Sequence, residues 1–229
     1  MTTEEELTMR KEELIEEPAA TRLPVVFVVD ISYSMAGPPE TELNEGLPIL
    51  FNGIKADPIA AASAEIAIVT FGTTVETVSD FHPVHKQQAP RLVANGGTPM
   101  GAAVNRALDM VHQCKETYRN AGIDYMQPWL WLLTDGQPTD NIEEAVRRTV
   151  DLVQKKKLTV FAVGIGDGAD MNVLRRFSPN RPPIKLKGLT FDGLFAFIAK
   201  SVSAVSRSTP GQSVPLDTTG MSQWAQVPT

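Results

Sequence analysis

The stretch Leu23-Pro-Val-Val-Phe-Val-Val-Asp30-Ile-Ser-Tyr-Ser34 decides how the rest of this chain is read. Its first seven residues are apolar and largely β-branched, without the polar alternation of a strand that shows one face to water. Such a run predicts a strand buried on both faces, as in a mostly parallel sheet. It stops on Asp30 and then offers Ser32 and Ser34, so a carboxylate and two hydroxyls stand at alternate positions beyond the strand's carboxyl end. In open α/β sheets that edge is where ligands bind. Oxygen donors suit a hard cation, and Mg2+ takes six of them at about 2.0–2.1 Å. Other segments must therefore contribute.

Two segments are suited to do so. Asn95-Gly-Gly-Thr98-Pro-Met-Gly101 is a Gly-rich turn that places a hydroxyl just ahead of a helical stretch. Trp129-Leu-Trp-Leu-Leu-Thr134-Asp135-Gly136 repeats the opening design, an apolar run ending on an Asp and a turn Gly. Asp30, Ser32, Ser34, Thr98 and Asp135 are thus the candidate metal-binding residues.

These five positions, in this order and context, resemble the metal-ion-dependent adhesion site of the von Willebrand factor A family. The resemblance extends over residues 22–207, and the phrases Leu-Leu-Thr134-Asp-Gly-Gln-Pro-Thr139 and Ala162-Val-Gly-Ile-Gly166 are also typical of it. It implies a non-enzymatic interaction module. The serines and threonine would contact the cation, with the aspartates acting directly or through water, and a Glu or Asp of a protein partner would complete the shell. Few anionic ligands leave a cation electron-poor and able to attract that outside carboxylate. Mg2+ is the expected ion, with Mn2+ and Ca2+ as alternatives, since both accept oxygen ligands. The phrase Arg22-Leu-Pro-Val-Val resembles the bacterial TerY-type proteins of tellurium-resistance and stress operons, which implies work in a tellurite or chemical-stress response. Tyr33 departs from the family habit, which is commonly Gly at that position.

A competing reading is a metal-dependent hydrolase or phosphoryl-transfer enzyme with Asp30 as nucleophile. Such chemistry needs a nearby general acid and a cation to hold the phosphoryl group. The residue two beyond Asp30 is Ser32, and neither the 95–101 nor the 135–140 loop contains Lys or Arg. Other chemistry-bearing residues read as structural. His82 and His85 lack a third ligand and fit a solvated loop, while Cys114 falls on the apolar face of a helix. Asp167 and Asp170 fit capping of the helix that follows. Asp140 is a candidate either for capping or for orienting a metal ligand without touching the ion. Gly164-Ile-Gly166 does not open a dinucleotide-binding turn.

With 229 residues, 42% of them hydrophobic, the chain can bury the core of one α/β domain. The expected fold is a doubly wound, mostly parallel sheet with one antiparallel edge strand and helices on both faces, Rossmann-like in architecture. The expected division is an acidic arm over 1–21, the domain over 22–207 and a flexible tail over 208–229. Most of the net charge of -6 comes from the arm, where seven Glu stand against Arg10 and Lys11 within residues 1–17. No basic field is available to draw in nucleic acid or an anionic membrane. The single cysteine, the acidic amino terminus and the lack of a run of roughly 20 apolar residues make a cytoplasmic location the expectation. The pattern leaves oligomeric state open.

Along the domain, apolar spacing predicts a helix over 38–55 with a kink or late start at Pro48. Strands are expected at 65–71, 74–78 (an edge), 158–165 and 184–186, and helices from Pro99 to about 118 and over 142–156, 170–177 and 190–206. The helix at 142 has Asp140 or Asn141 as its cap. After Ser208 the composition turns to Ser, Thr, Gly, Pro and Gln, with Trp224 nearly isolated. Asp217, the only acidic residue there, offers a carboxylate that a flexible tail is able to bring to the cation.

Overall fold

In the computed structural model, which describes residues 21–226, the apolar runs form one seven-stranded sheet. Its strands are β1 Leu23–Asp30, β2 Ala64–Phe71, β3 Val75–Pro83, β4 Trp129–Thr134, β5 Thr159–Gly164, β6 Ile184–Leu186 and β7 Ala225–Gln226, in the order β3-β2-β1-β4-β5-β6-β7. β1 lies parallel to both β2 and β4, and β5 and β6 continue the parallel ladder. β3 and β7 run antiparallel at the two edges. The helices are α1 Pro38–Lys55, α2 Pro58–Ser63, α3 Met100–Ala121, α4 Glu143–Gln154, α5 Met171–Phe177, α6 Phe191–Ser206 and α7 Met221–Trp224.

The two-residue period of a strand sorts each apolar run onto two faces. Val25, Phe27 and Val29 join Trp129, Trp131 and Leu133 on the face covered by α1 and α6, where Leu47, Leu50, Phe195 and Ile198 pack. Val26 and Val28 join Leu130 and Leu132 on the other face, under Val104, Ala107 and Leu108 of α3 and Leu174 and Phe177 of α5. Both faces are covered, so every residue of β1, β2 and β4 is buried. α1 approaches α6 so closely that a Cβ on Gly46 would lie 2.6 Å from the Phe195 ring.

The chain winds from β1 toward β3 in one direction and from β4 toward β6 in the other. The carboxyl ends of β1 and β4 are therefore neighbours at the point where the winding reverses, the usual crevice for a ligand in an open α/β sheet.

Several elements differ from the sequence expectation, among them the short helix α2, which it did not include. α1 is one continuous helix, with Pro48 inside it. Pro48 is exposed, and the helix carries the proline without a late start. β3 reaches Pro83, well beyond the expected 74–78, because its irregular pairing with β2 continues to Glu65. The segment after Ser208 returns to the sheet as α7 and β7 where composition predicts a flexible tail.

Trp224, only 8% exposed, explains that return. Its ring lies 5.3 Å from Phe197, and its carbonyl accepts hydrogen bonds from Lys187 N at 2.9 Å and Thr190 Oγ1 at 3.0 Å. Asp217 is held by Lys200 of α6 at 2.5 Å, and neighbouring Leu216 lines a cavity with Met126, Trp129 and Thr159 at the amino ends of β4 and β5. Asp217 is thus engaged toward the end of the sheet opposite the crevice. The expected acidic arm lies outside the described residues, apart from Thr21. Among the described residues no helix is long and apolar enough to cross a membrane.

Candidate functional site

Parallel register places the first two pieces of the site. Val29 stands opposite Leu133, so Asp30 falls beside Thr134 at the ends of their strands, both on the α3 face. Asp30 is fully buried, and both its oxygens are bonded. Oδ1 accepts from Ser32 N at 2.8 Å, and Oδ2 accepts from Thr134 Oγ1 at 2.5 Å. Beyond the strand the chain enters a short 3-10 turn, Tyr33–Met35, anchored by the buried side chain of Met35. The Ser32 and Ser34 hydroxyls lie 3.0 Å apart, and Ser34 donates to Asp135 Oδ1 at 2.8 Å. A continuous polar chain therefore links the end of β1 to the residue after β4.

The loop carrying Thr98 is tied to the same strand end by backbone bonds. Asn95 N donates to Ile31 O at 2.5 Å, and Tyr33 N donates to Gly96 O at 3.0 Å. Gly96 has φ +67°, and a Cβ there would lie 2.1 Å from Thr73 N, so only glycine fits against the turn between β2 and β3. Thr98 is 6% exposed. Its amide donates to Thr139 Oγ1 at 3.1 Å, and its carbonyl accepts from Thr139 N at 2.9 Å. A Cβ on Gly136 would lie 3.8 Å from Thr98 Oγ1, which places that hydroxyl against the Asp135 loop. The five residues singled out in the sequence thus occupy three loops that meet at one crevice.

Asp140 fastens the third loop to the second. Its Oδ1 accepts from Gly101 N at 2.9 Å and its Oδ2 from Ala102 N at 2.8 Å. It satisfies free amides at the start of α3, since Pro99 cannot offer a capping side chain there. The local cap before α4 falls to Asn141, whose Oδ1 accepts from Glu143 N at 2.9 Å. Sequence reasoning placed Asp140 near the site without its partner, and it missed Thr134 and Thr139 altogether. Thr134 carried a signal, a lone hydroxyl closing an aliphatic strand on the same face as Asp30. Nothing local marks Thr139.

The remaining candidates fall elsewhere. His82 and His85 approach separate carbonyls, those of Asp80 at 3.1 Å and Ala61 at 3.0 Å. Cys114 is buried on the core-facing side of α3. Asp170 caps α5 through Asn172 N and Val173 N, whereas Asp167 pairs with Lys185 at 2.7 Å and does no capping.

Electrostatics set the character of the crevice. Burial pushes the Asp30 carboxyl above its ordinary range, partly opposed by hydrogen bonds from Ser32 and Thr134, and the nearby charge of Asp135 raises it further. Burial likewise raises Asp135, against the hydrogen bond from Ser34. Among the described residues neither carboxylate has a Lys or Arg partner. Nor do the described residues gather three His, Cys, Asp or Glu side chains into one cluster. A cation here would thus depend on hydroxyls beside two carboxylates. That donor set fits a hard divalent ion, which would supply the missing positive charge, and offers nothing to a soft metal.

Residues 25–191 match the von Willebrand factor type A domain. Among curated proteins, inter-alpha-trypsin inhibitor heavy chain H6 of Homo sapiens is 26% identical over 161 residues, covering 67% of this chain and 12% of that protein. This chain therefore spans about an eighth of that relative's length. Among solved structures, a von Willebrand factor type A protein from Catenulispora acidiphila aligns with a TM-score of 0.61 at 18% identity, covering 80% of this chain and 43% of that one. The manganese-loaded TRAP protein of Plasmodium vivax aligns with a TM-score of 0.50 at 20% identity, covering 72% of this chain and 65% of that one. At such identities these two alignments bear on fold alone.

Proposed function

This chain belongs to the von Willebrand factor type A family, and from that premise we propose that it is a non-enzymatic, metal-dependent protein-interaction module. Asp30, Ser32, Ser34, Thr98 and Asp135 hold a divalent cation, Mg2+ in the first instance with Mn2+ or Ca2+ able to replace it. A Glu or Asp of a protein partner completes the shell. The observation that carries this reading is the convergence of the buried Asp30, the half-buried Asp135 and three hydroxyls at the switch point of the sheet, with no cationic partner for either carboxylate among the described residues. When bound, the cation supplies the positive charge and an outward-facing place for an oxygen. The chain's residues hold the donors, exclude water from Asp30 and leave Ser34 and Tyr33 at the surface. That a TRAP protein of the same fold is manganese-loaded supports an ion of this class.

The geometry favours interaction over hydrolysis. An aspartate nucleophile needs an unengaged oxygen facing its substrate, whereas Asp30 is buried with both oxygens accepting hydrogen bonds. The Arg22-Leu-Pro-Val-Val phrase supports placing the module in a bacterial tellurite or chemical-stress system, in the cytoplasm. Residues 22–207 form the functional domain in this reading.

Calorimetric titration of Mg2+ and Mn2+ into the wild type and Asp135→Asn, paired with capture from the native host with and without chelator, tests the proposal. Saturable binding to the wild type alone, with chelator-sensitive capture, is the expected result. Equal binding by both proteins, or capture that ignores chelator, overturns it.

A further inference from the structure

Beside the polar crevice the surface turns apolar, and the fold makes no use of what it shows there. Tyr33 is 72% exposed and Val93 60% exposed, the two most exposed large hydrophobic side chains among the described residues. Tyr33 stands between the two serines of the site. Its amide is fixed on Gly96 O, and Met35, two residues on, is sunk in the core, so the turn is anchored while the Tyr33 side chain stays in solvent. Ala36, Gly37 and Pro38 continue the exposed stretch. Val93 lies on the segment leading to Thr98, three residues before Gly96. Leu92 on one side of it is bonded to Asn44 Oδ1 at 2.8 Å, and Ala94 on the other to Glu40 Oε2 at 3.2 Å. Tyr33 is therefore carried on a turn that is hydrogen-bonded to the segment carrying Val93, and that segment is in turn tied to α1.

Charge narrows what can lie there. Glu40 in the first turn of α1 and Asp135, Asp140 and the fully exposed Asp167 in the loops are the nearby acidic groups; Asp167 pairs with Lys185, Asp140 accepts from two amides of α3, and Arg91 lines a cavity with Glu40. A second acidic residue on a partner would meet mostly like charge from Asp135, Asp140 and Asp167, while an apolar one meets Tyr33 and Pro38 beside the serines or Val93 on the neighbouring segment. Aromatic side chains ringed by polar groups are common anchors at protein interfaces, because the ring offers area at little entropic cost.

We infer that the partner segment presents its carboxylate with an aliphatic or aromatic side chain beside it, and that Tyr33 and Val93 receive that side chain and set specificity. The inference rests on the metal-dependent capture proposed above. The crevice selects the carboxylate, and the Tyr33 rim selects its neighbour.

The test is selection from a random peptide library on the full chain in Mg2+, repeated on Tyr33→Ser and Val93→Ser. Wild type is expected to enrich peptides with Asp or Glu flanked within two positions by a large apolar residue. Tyr33→Ser should retain the acidic requirement and the Mg2+ affinity, lose the flanking preference, and bind wild-type-selected peptides roughly tenfold more weakly. Val93→Ser should shift the preference in the same direction. An acidic requirement without apolar flanks, or full affinity in both variants, overturns the inference and leaves metal-dependent capture standing. Enrichment without any acidic residue, or binding that survives chelator, overturns both.

Discussion

At the scale of single residues, Asp30 carries the most consequence. A carboxyl raised by burial favours its protonated form in the folded protein, so between the unfolded pKa, about 3.9, and the raised folded value the native state binds more protons. The stability of the metal-free protein therefore falls as pH rises through that window and stays at the lower level above it. Asp30→Asn removes this loss. In chelator, urea denaturation at a series of pH values should show the variant gaining on wild type as pH rises from about 4, then levelling off. Asp57, held low by Arg207, and Asp217, held low by Lys200, run the other way, losing stability in acid. They are common to both proteins and cancel in the comparison. With metal present, protons compete for the same oxygens, so wild-type affinity for Mg2+ should weaken as pH drops through the raised values. Lys156 is a second residue-scale case. It has φ +54° after α4, the only non-glycine positive φ among the described residues. Lys157 N bonds back to Leu152 O at 2.8 Å, the helix-ending arrangement that glycine fills without strain. Lys156→Gly should stabilise the protein by about 0.5–1 kcal/mol, read as a higher urea midpoint at unchanged slope.

At the scale of elements, Asp140 couples two of the three site loops through the start of α3. Asp140→Ala strips two amides of their acceptor and should cost about 1 kcal/mol of stability. Because the same bonds hold the 135–140 loop against Thr98, Mg2+ affinity should fall roughly 10–100-fold, as when a supporting partner of a metal ligand is removed. Calorimetry and denaturation on the same variant separate the two effects. The elements of the domain were largely legible in the sequence, since β1, β2 and β4 are unbroken apolar runs and α6 keeps a clear apolar stripe. Pro48 misled because a proline breaks a helix pattern in sequence whichever way it faces. Only the packed helix shows that it points to water. β3 was read short because its later residues gain strand geometry from irregular pairing with β2, which no local pattern announces.

At the scale of the whole molecule, the carboxyl-terminal segment closes the sheet. β7 covers the edge of β6, and Trp224 fills the space against Gly193 and Phe197, where a Cβ on Gly193 would lie 2.7 Å from it. Trp224→Ala should destabilise the protein by about 2–4 kcal/mol, measured by urea denaturation. A segment without local structure of its own would give almost no change.

Taken by itself, the sequence determined that a mostly parallel sheet forms, that β1 ends on a carboxylate and β4 just before one, and that Ser32, Ser34 and Thr98 stand in the turns beside a strand end or a helix start. Those facts are written in short-range patterns: the run length of apolar residues, their two-residue or helical period, and the turn residues that end them. The tertiary structure alone decided that Thr134 bonds Asp30, that Asp140 caps α3 in place of its own helix, and that Trp224 returns to the sheet. Each of these joins residues far apart in the chain, and such a contact has no local signature. It exists only after the core has brought its two ends together and the entropy of closing that loop has been met by what they bury.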